Sequence, residues 1–479
     1  MGLPELPLER RVMGIETEFG ITITPANGTN LWLAESKILS ALLYFQTGRN
    51  TRDIFLSNGA RYYNDNIYSD SGSSYKLEYS TPEADNAIEA VAHDKAGERI
   101  VAANSVKLEK YLRKEHGTEV KINLYKNNSD TKDNTWGSHQ NYQMARHHWR
   151  DNTDAPKLEE IYQLLMSFFV SRIIFTGAGK VLYQAGRNFA MGNYVIMDRA
   201  RFILEDISAA TTQCRGIINT KDEPLADRSR FIRLHHIMDD SNMSEFSDYL
   251  KIGTGAIAVH LVEAGVFPIF ELANPVQVLH QISEDLTLKR EYDVNINGAT
   301  KKMTAIQMQK EYHLAALSYF GRNPPADSSA MQVIRDWGET LDALENEPMS
   351  LHRELDWVIK LNILLKRMER KNLPLAEASQ ICTEYHNVNP ARGIYYRLLS
   401  QSEGLRPRRI CTDDQIENAM TNPPNNTRAY RRGSYAIDFI TESNPEYTVL
   451  SVGWSGVSTK TANGDRYLYS ADPREVEFS

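Results

Sequence analysis

The chain has 479 residues, of which 41% are hydrophobic and 24% charged, and its formal net charge is −8. This composition is typical of a soluble globular protein with one large domain or two, and the negative charge disfavours nucleic-acid binding through charge alone. No apolar stretch is long enough to span a membrane. Three widely spaced cysteines and the lack of an export signal predict reduced thiols in a cytoplasmic protein.

The first predicted strand carries two glutamates. Glu16 and Glu18 alternate with apolar residues in the stretch 11–23, so both carboxylates project from one face while Ile15 and Phe19 line the other. Like charges on one face normally need a cation, and a hard, oxygen-binding metal such as Mg²⁺ is the natural candidate. The alternative is a half-exposed strand whose glutamates lie in water.

Helical and strand-like patterns then follow one another along the chain. The predicted helices cover residues 36–46, 84–114, 157–175, 250–263, 305–320, 331–345 and 355–370. Further strands are predicted at 61–65, 76–80, 120–125, from 139 onward and at 446–454. We therefore expect a sheet made in the N-terminal half and backed by helices from both halves. Beyond Glu403 the sequence is rich in Arg, Pro and Asn, which predicts a small C-terminal domain.

Alternate positions of three predicted strands present polar side chains. They are Glu16, Glu18, Arg61, Tyr63, Asp65 and Glu78. If these strands are neighbours in one sheet, they form a carboxylate-lined surface with a guanidinium at its edge, which suits Mg²⁺ and a nucleoside triphosphate. A P-loop is not expected, because the stretch 176–180 lacks the Walker A spacing.

Several longer motifs occur in the same order as in one known family. They lie at residues 13–20 (Met-Gly-Ile-Glu-Thr-Glu-Phe-Gly), 58–61, 94–99, 125–128, 216–220, 233–235 and 240–245. From about residue 10 to Arg474 the chain resembles the Pup-ligase (PafA) family, whose sister enzyme Dop deamidates Pup, the prokaryotic ubiquitin-like protein, and removes it from substrates.

The resemblance implies an α+β, glutamine-synthetase-like fold: a curved antiparallel sheet forms a cradle backed by helices. On this basis residues 1–402 form the catalytic domain and 403–479 the small C-terminal domain. The implied reaction uses ATP to phosphorylate the γ-carboxylate of Pup's C-terminal glutamate, after which a substrate lysine attacks to form an isopeptide bond. Pup and lysine-bearing proteins are the implied partners, with no nucleic acid and no membrane.

The resemblance also assigns roles to residues. Glu16, Tyr63 and Glu78 match magnesium ligands; Arg61, Thr81 and Trp454 match nucleotide contacts; and Asp65 matches the catalytic base. Other interpretations stay open: Tyr63 and Trp454 as packing aromatics, and Asp65 as a turn residue. Arg428, Arg431 and Arg432 are expected either to reach phosphates or to form a solvated basic face.

Four departures from the family pattern mark a divergent member. Lys76-Leu77 replaces the usual His-Pro before Glu78, and the segment from Asn66 to Tyr75 is longer than usual. Gln140 replaces a glutamate, which removes an anionic ligand or base, and Lys221 replaces an arginine, which loses a bidentate fork.

The first strand and the short stretch from Ile21 to Ser57 favour the ligase over Dop. Three alternatives remain: a Dop-type deamidase or depupylase, an ATP-dependent carboxylate–amine ligase for another peptide or amino acid, and a weakened homologue that acts as a regulator. The carboxylates Glu16, Asp65 and Glu78 speak against the regulator.

Overall fold

The strand that carries Glu16 and Glu18 lies in the middle of a large sheet. The structure is a computed structural model that describes residues 7–25, 35–69, 72–117, 119–126, 136–146, 158–183, 194–198, 203–209, 215–326, 328–371 and 373–478. Cys214, Asn127, Asn128 and Lys157, which the sequence patterns include, lie outside these ranges.

The strands, in chain order, are β1 (Met13–Pro25), β2 (Asp53–Phe55), β3 (Arg61–Ser69), β4 (Gly72–Ser80), β5 (Val120–Tyr125), β6 (Ser138–Ala145), β7 (Lys180–Tyr183), β8 (Tyr194–Asp198), β9 (Glu205–Ser208), β10 (Gly216–Asn219), β11 (Phe231–His236), β12 (Glu291–Ile296), β13 (Ala299–Thr304), β14 (Thr448–Val452), β15 (Gly456–Thr461) and β16 (Gly464–Tyr469). The main sheet has the order β2-β3-β4-β1-β6-β11-β10-β9, and β5 pairs with the second half of β1. Its pairs are antiparallel except β9 with β10. All its strands come from the first half of the chain, as predicted.

The helices are α1 (Glu35–Thr47), α2 (Ala87–His116), α3 (Leu158–Thr176), α4 (Glu245–Glu263), α5 (Pro275–Glu284), α6 (Ala305–Arg322), α7 (Ser328–Asn346), α8 (Asp356–Met368), α9 (Leu375–Tyr385), α10 (Ile394–Leu399), α11 (Asp413–Thr421) and α12 (Ala429–Thr441). The predicted helix at 250 begins earlier, at Glu245, because the Ser244 side chain caps it by accepting a hydrogen bond from the Ser247 amide. Within the described ranges, every helix is too short or too polar to traverse a lipid bilayer.

The helices cover the face of β1 opposite its two glutamates. Ile15 belongs to the larger hydrophobic core, which includes α3 and the wholly buried α4, and Phe19 belongs to a second core with α1 and α2. Helix α2 packs so closely on β4 that a Cβ at Gly97 would lie 2.4 Å from the ring of Tyr79. The sequence therefore needs glycine there, and the sheet is held against its helical backing.

A buried ionic cluster also lies behind β1. The Thr17 hydroxyl, on the opposite face from its two glutamate neighbours, donates to Asp94 Oδ1 over 3.0 Å. Asp94 is paired with Lys126, which also lies 3.0 Å from Glu98, and Lys95 lies 2.7 Å from Glu98. These charges are buried and each has an opposite partner, so the cluster fixes the strand from behind.

The C-terminal part returns to the edge of the main sheet. β14, β15 and β16 form a separate three-stranded sheet, and α12 joins it to the main sheet through Glu83. Glu83 pairs with both Arg428 (2.8 Å) and Arg432. The division into domains at residues 402 and 403 stays a prediction.

We predict that Glu83→Gln lowers the free energy of unfolding by about 3 to 5 kcal/mol, because it removes the charge that two buried guanidinium groups face. Burial alone would raise the pKa of Glu83, but Arg432 and Arg428 lower it to about 2. This stabilisation is therefore complete at neutral pH and is lost as the pH falls from the ordinary glutamate pKa toward 2. Urea unfolding of both proteins measures the difference.

The matched control is Glu442→Gln, which breaks the exposed pair between Glu442 and Arg49. We expect that change to cost less than about 1 kcal/mol. Equal losses in the two variants would contradict the structural role of the buried Glu83 cluster.

Candidate active site

A cavity of about 560 Å³ opens on the face of the sheet that carries the glutamates. It is lined by the predicted residues Glu16, Glu18, Arg61, Tyr63, Asp65, Glu78 and Trp454. The strand register explains this: Glu78 of β4 faces Glu18 of β1 on one side and Tyr63 of β3 on the other. The expectation that these strands are neighbours is confirmed.

Among the described residues, the side chains that could bind a metal ion form two groups of three. Within each group, the ligand atoms lie within 4.8 Å of one another. One group is Glu18, Asp65 and Glu78, and the other is Glu16, His139 and His235. The first group offers only carboxylate oxygens, which are the donors that Mg²⁺ prefers, so the residues present fit that ion. Glu16 and Glu78, which the resemblance assigns to metal binding together, both line the cavity, and Glu16 lies next to the Glu18–Glu78 pair on the same face of β1.

Burial and the charges of Glu16 and Glu18 raise the pKa of Glu78 well above its usual range. Burial also raises the pKa of Tyr63, which shares a hydrogen bond with Glu78. A bound cation would oppose both effects, because it favours the charged form of each group. The carboxylate pair Glu18 and Glu78 is therefore arranged in a way that favours cation binding.

Glu16 is surrounded by partners from β6 and β11. Asn141 Nδ2 donates to it over 3.0 Å, Arg233 Nη1 over 3.3 Å, and His139 Nδ1 and His235 Nε2 lie 3.1 and 3.4 Å away. Burial alone would raise the pKa of Glu16, but the charges and hydrogen bonds of His235, His139 and Arg233 lower it well below its usual value. Glu16 is therefore a stable carboxylate in this cavity.

These four partners were not assigned to the site from the sequence, although the family-like motif at residues 233–235 contains Arg233 and His235. The sequence does contain a signal for these residues. His139 and Asn141 lie two positions apart on one strand, and Arg233 and His235 lie two positions apart on another, so each pair shares one face. The side of the sheet on which they lie depends on strand pairing, which their spacing does not give.

The residues matched to nucleotide contacts lie at the edge of the cavity. Arg61 forms a bidentate pair with Asp53, at 2.9 and 2.6 Å, and its guanidinium lies 4.0 Å above the ring of Tyr63. Thr81 is buried, and its hydroxyl accepts from the Ile15 amide over 3.0 Å, so it also fastens β1.

A second, mostly apolar cavity of about 80 Å³ adjoins this edge, and both Thr81 and Trp454 line it. The Trp454 ring packs edge-on against Phe55 and under the Arg432 guanidinium, which lies 4.7 Å from its centre. This second cavity, hereafter the slot, has an aromatic wall formed by Trp454, which suits a planar heterocyclic base.

The interpretation of the C-terminal arginines as a solvated basic face is wrong for Arg428 and Arg432. These side chains are buried and paired with Glu83, and Arg428 also lines the second cavity. Their contact with phosphates stays a prediction. Arg431 is half-exposed and pairs with Glu477 at 3.2 Å. The sequence does not show this, because Glu83 is far away along the chain.

Gln140 does not lie in the cavity. It is buried on the opposite face of β6, where its Oε1 accepts from Arg172 Nη2 over 2.7 Å and its Nε2 donates to the Ser138 carbonyl. The idea that Gln140 replaces a metal ligand or base of this cavity is therefore wrong.

Two of the other departures, Lys76 and Lys221, line the cavity. Lys221 lines it from the loop after β10. The longer segment continues the β3–β4 ladder, with Asn66 opposite Tyr75 and Ser69 opposite Gly72, so it extends the hairpin beyond Asp65.

Comparison with known proteins agrees with this geometry. The sequence model of the family described as Pup-ligase protein matches residues 11–458. The chain belongs to the Pup-ligase family. It is 37% identical to the Pup–protein ligase of Mycobacteroides abscessus over 93% of both chains, and 37% identical to that of Mycolicibacterium smegmatis over 92% of both.

Solved structures of the Pup ligase PafA have the same fold. The complex of PafA with Pup superposes with a TM-score of 0.82 at 30% identity, covering 99% of this chain and 91% of the other. PafA in complex with ADP gives a TM-score of 0.76 at 30% identity, over 95% and 93% of the two chains. The predicted α+β, glutamine-synthetase-like fold is thereby confirmed.

We predict that Glu16→Gln weakens the binding of Mn²⁺, used as a probe for Mg²⁺, by at least about tenfold in the presence of ADP, because it removes a charged oxygen donor. Gln140→Glu should leave that affinity unchanged, since its side chain lies behind the sheet. Isothermal titration of the three proteins measures this. A marked change in Gln140→Glu would contradict the placement of Gln140.

Proposed function

We propose that this chain is an ATP-dependent Pup–protein ligase, which joins the C-terminal glutamate of Pup to lysines of other proteins. The observation that carries the proposal is the acidic cavity itself: Glu16, Glu18, Asp65 and Glu78 converge in a chain that belongs to the Pup-ligase family along most of its length. A ligase of this kind must bind ATP beside a carboxylate and then admit an amine.

The first step activates the γ-carboxylate of Pup's C-terminal glutamate, which is otherwise a poor electrophile. The γ-carboxylate of Pup's glutamate attacks the terminal phosphorus of ATP, so that ADP leaves and an acyl phosphate forms. In this proposal the base of ATP lies at the slot lined by Trp454 and Thr81, and Arg61 offers a guanidinium to the phosphates. Asp53 holds Arg61 in its bidentate orientation.

Mg²⁺ belongs to this proposal as the partner of ATP. Glu16, Tyr63 and Glu78 are the residues matched to its ligands, and Glu18 and Asp65 complete the acidic surroundings. When bound, the ion would offset the negative charge of the transferring phosphoryl group.

The second step joins the acceptor. A lysine ammonium has an ordinary pKa near 10.4, so it must lose a proton before it attacks the acyl carbon. Asp65 lies on the cavity face of β3 and is the proposed base. One ammonium proton passes to the Asp65 carboxylate, and the amine then attacks the acyl carbon. The C–N bond forms as the bond to the phosphate oxygen breaks, and inorganic phosphate leaves with the second proton.

The test mixes purified protein, ATP, Mg²⁺ and glutamate-ended Pup with a lysine-bearing acceptor, beside a tube with glutamine-ended Pup and no acceptor. We expect intact mass spectrometry to show the acceptor joined to Pup with loss of water. A one-dalton gain on glutamine-ended Pup would indicate a Dop-type deamidase instead. If neither tube gives a product, and ATP is hydrolysed when another acid or amine is supplied, the enzyme acts on a different substrate.

We predict that Asp65→Asn abolishes conjugation, lowering its rate by at least about a hundredfold, and keeps ATP binding, because the amide cannot accept the ammonium proton. Conjugation is followed by gel shift and nucleotide affinity by a fluorescent ATP analogue. Asp293→Asn is the control, since Asp293 lies on the exposed hairpin β12–β13. Unimpaired conjugation in Asp65→Asn would remove this residue from the mechanism.

A further inference from the structure

Lys76 brings a positive charge into the acidic side of the cavity. Its Nζ lies 2.7 Å from Glu18 Oε2, and the two side chains are only 17% and 10% exposed. Across the β3–β4 ladder, Lys76 is also the direct partner of Asp65. Cross-strand partners share a face, so the ammonium lies on the same face as the Glu18–Asp65–Glu78 group, hereafter the carboxylate corner.

The ammonium occupies part of the binding capacity of Glu18. Glu18 Oε2 accepts from Lys76 Nζ and from the Gly137 amide, each over 2.7 Å. An oxygen that accepts two hydrogen bonds has both its lone pairs engaged. In this arrangement Glu18 can offer only Oε1 to a metal ion. The ammonium also reduces the net negative charge of the carboxylate corner by one.

We propose that Lys76 is a positioning residue that acts as a tethered cation: it takes one cation position at the carboxylate corner and limits how strongly that corner binds divalent ions. Lys76 acts through Glu18, because its ammonium engages the Oε2 atom that could otherwise bind a metal ion. The inference deepens the proposed magnesium site and rests on the proposed function.

The alternative is an ion pair without consequence for metal binding, as many exposed pairs are. Two observations favour the tethered cation. The pair is largely buried within the cavity, and the Gly137 amide binds the same oxygen, so Glu18 is held from two sides. Loss of the ammonium would therefore free one lone pair of Glu18 Oε2 inside the cavity, while the Gly137 amide still holds the carboxylate.

The test counts Mn²⁺ bound to the full-length protein without nucleotide, by the electron paramagnetic resonance signal of the free ion. We expect Lys76→Met to bind an additional Mn²⁺, or to bind Mn²⁺ at least about tenfold more tightly, as removal of a unit charge a few ångströms away implies. Lys76→Arg keeps the charge and should match the wild type. Lys107→Met, at an exposed position of α2, controls for loss of a lysine elsewhere.

Unchanged Mn²⁺ binding in Lys76→Met would overturn the inference, and so would equal gains in Lys76→Met and Lys76→Arg, which would indicate packing rather than charge. If Lys76→Met does not fold, Mn²⁺ binding to Lys76→Gln is measured and interpreted in the same way. A wild type that binds no Mn²⁺ even with ATP would overturn the proposed metal site as well, whereas the conjugation assay tests the ligase independently.

Discussion

The structure depends on how the negative charge of β1 is offset inside the protein. Glu16 is stabilised as a carboxylate by Arg233, Asn141 and two histidines, and Glu18 is bound by Lys76 and the Gly137 amide. Glu78, which faces both glutamates, has a raised pKa because burial and like charges outweigh its hydrogen bond from Tyr63. The uncompensated charge is thus concentrated at one corner of the cavity, where a cation and a polyphosphate can meet.

The opposite face of β1 is equally constrained. Thr17 is hydrogen-bonded to Asp94, and Asp94 belongs to a buried cluster with Lys126, Lys95 and Glu98. Breaking such a buried pair typically costs about 3 to 5 kcal/mol, because an uncompensated charge remains. Strand β1 is therefore held by charge on both of its faces, and the carboxylates that carry the proposed chemistry keep a fixed orientation.

Strand alternation decides which motif residues take part in the site. His139 and Asn141 face the cavity, and Gln140 between them lies in a buried network with Arg172 and His236. A substitution at Gln140 therefore changes the support of the sheet rather than the donors of the cavity. The β3–β4 hairpin extends beyond the pair of Asp65 and Lys76, so added residues lengthen its tip and leave Asp65 opposite Lys76.

The sequence by itself determined the polar face of β1, the strands of Arg61 and Glu78, most of the helices and the family, because these follow from local periodicity and from motif order. Only the tertiary structure decided that Glu18, Asp65 and Glu78 lie together, that His139, Arg233 and His235 complete the cavity, and that Arg428 and Arg432 are buried against Glu83. The reason is physical: these contacts join residues far apart in the chain, and local spacing carries no information about which strands pair or where a distant helix packs.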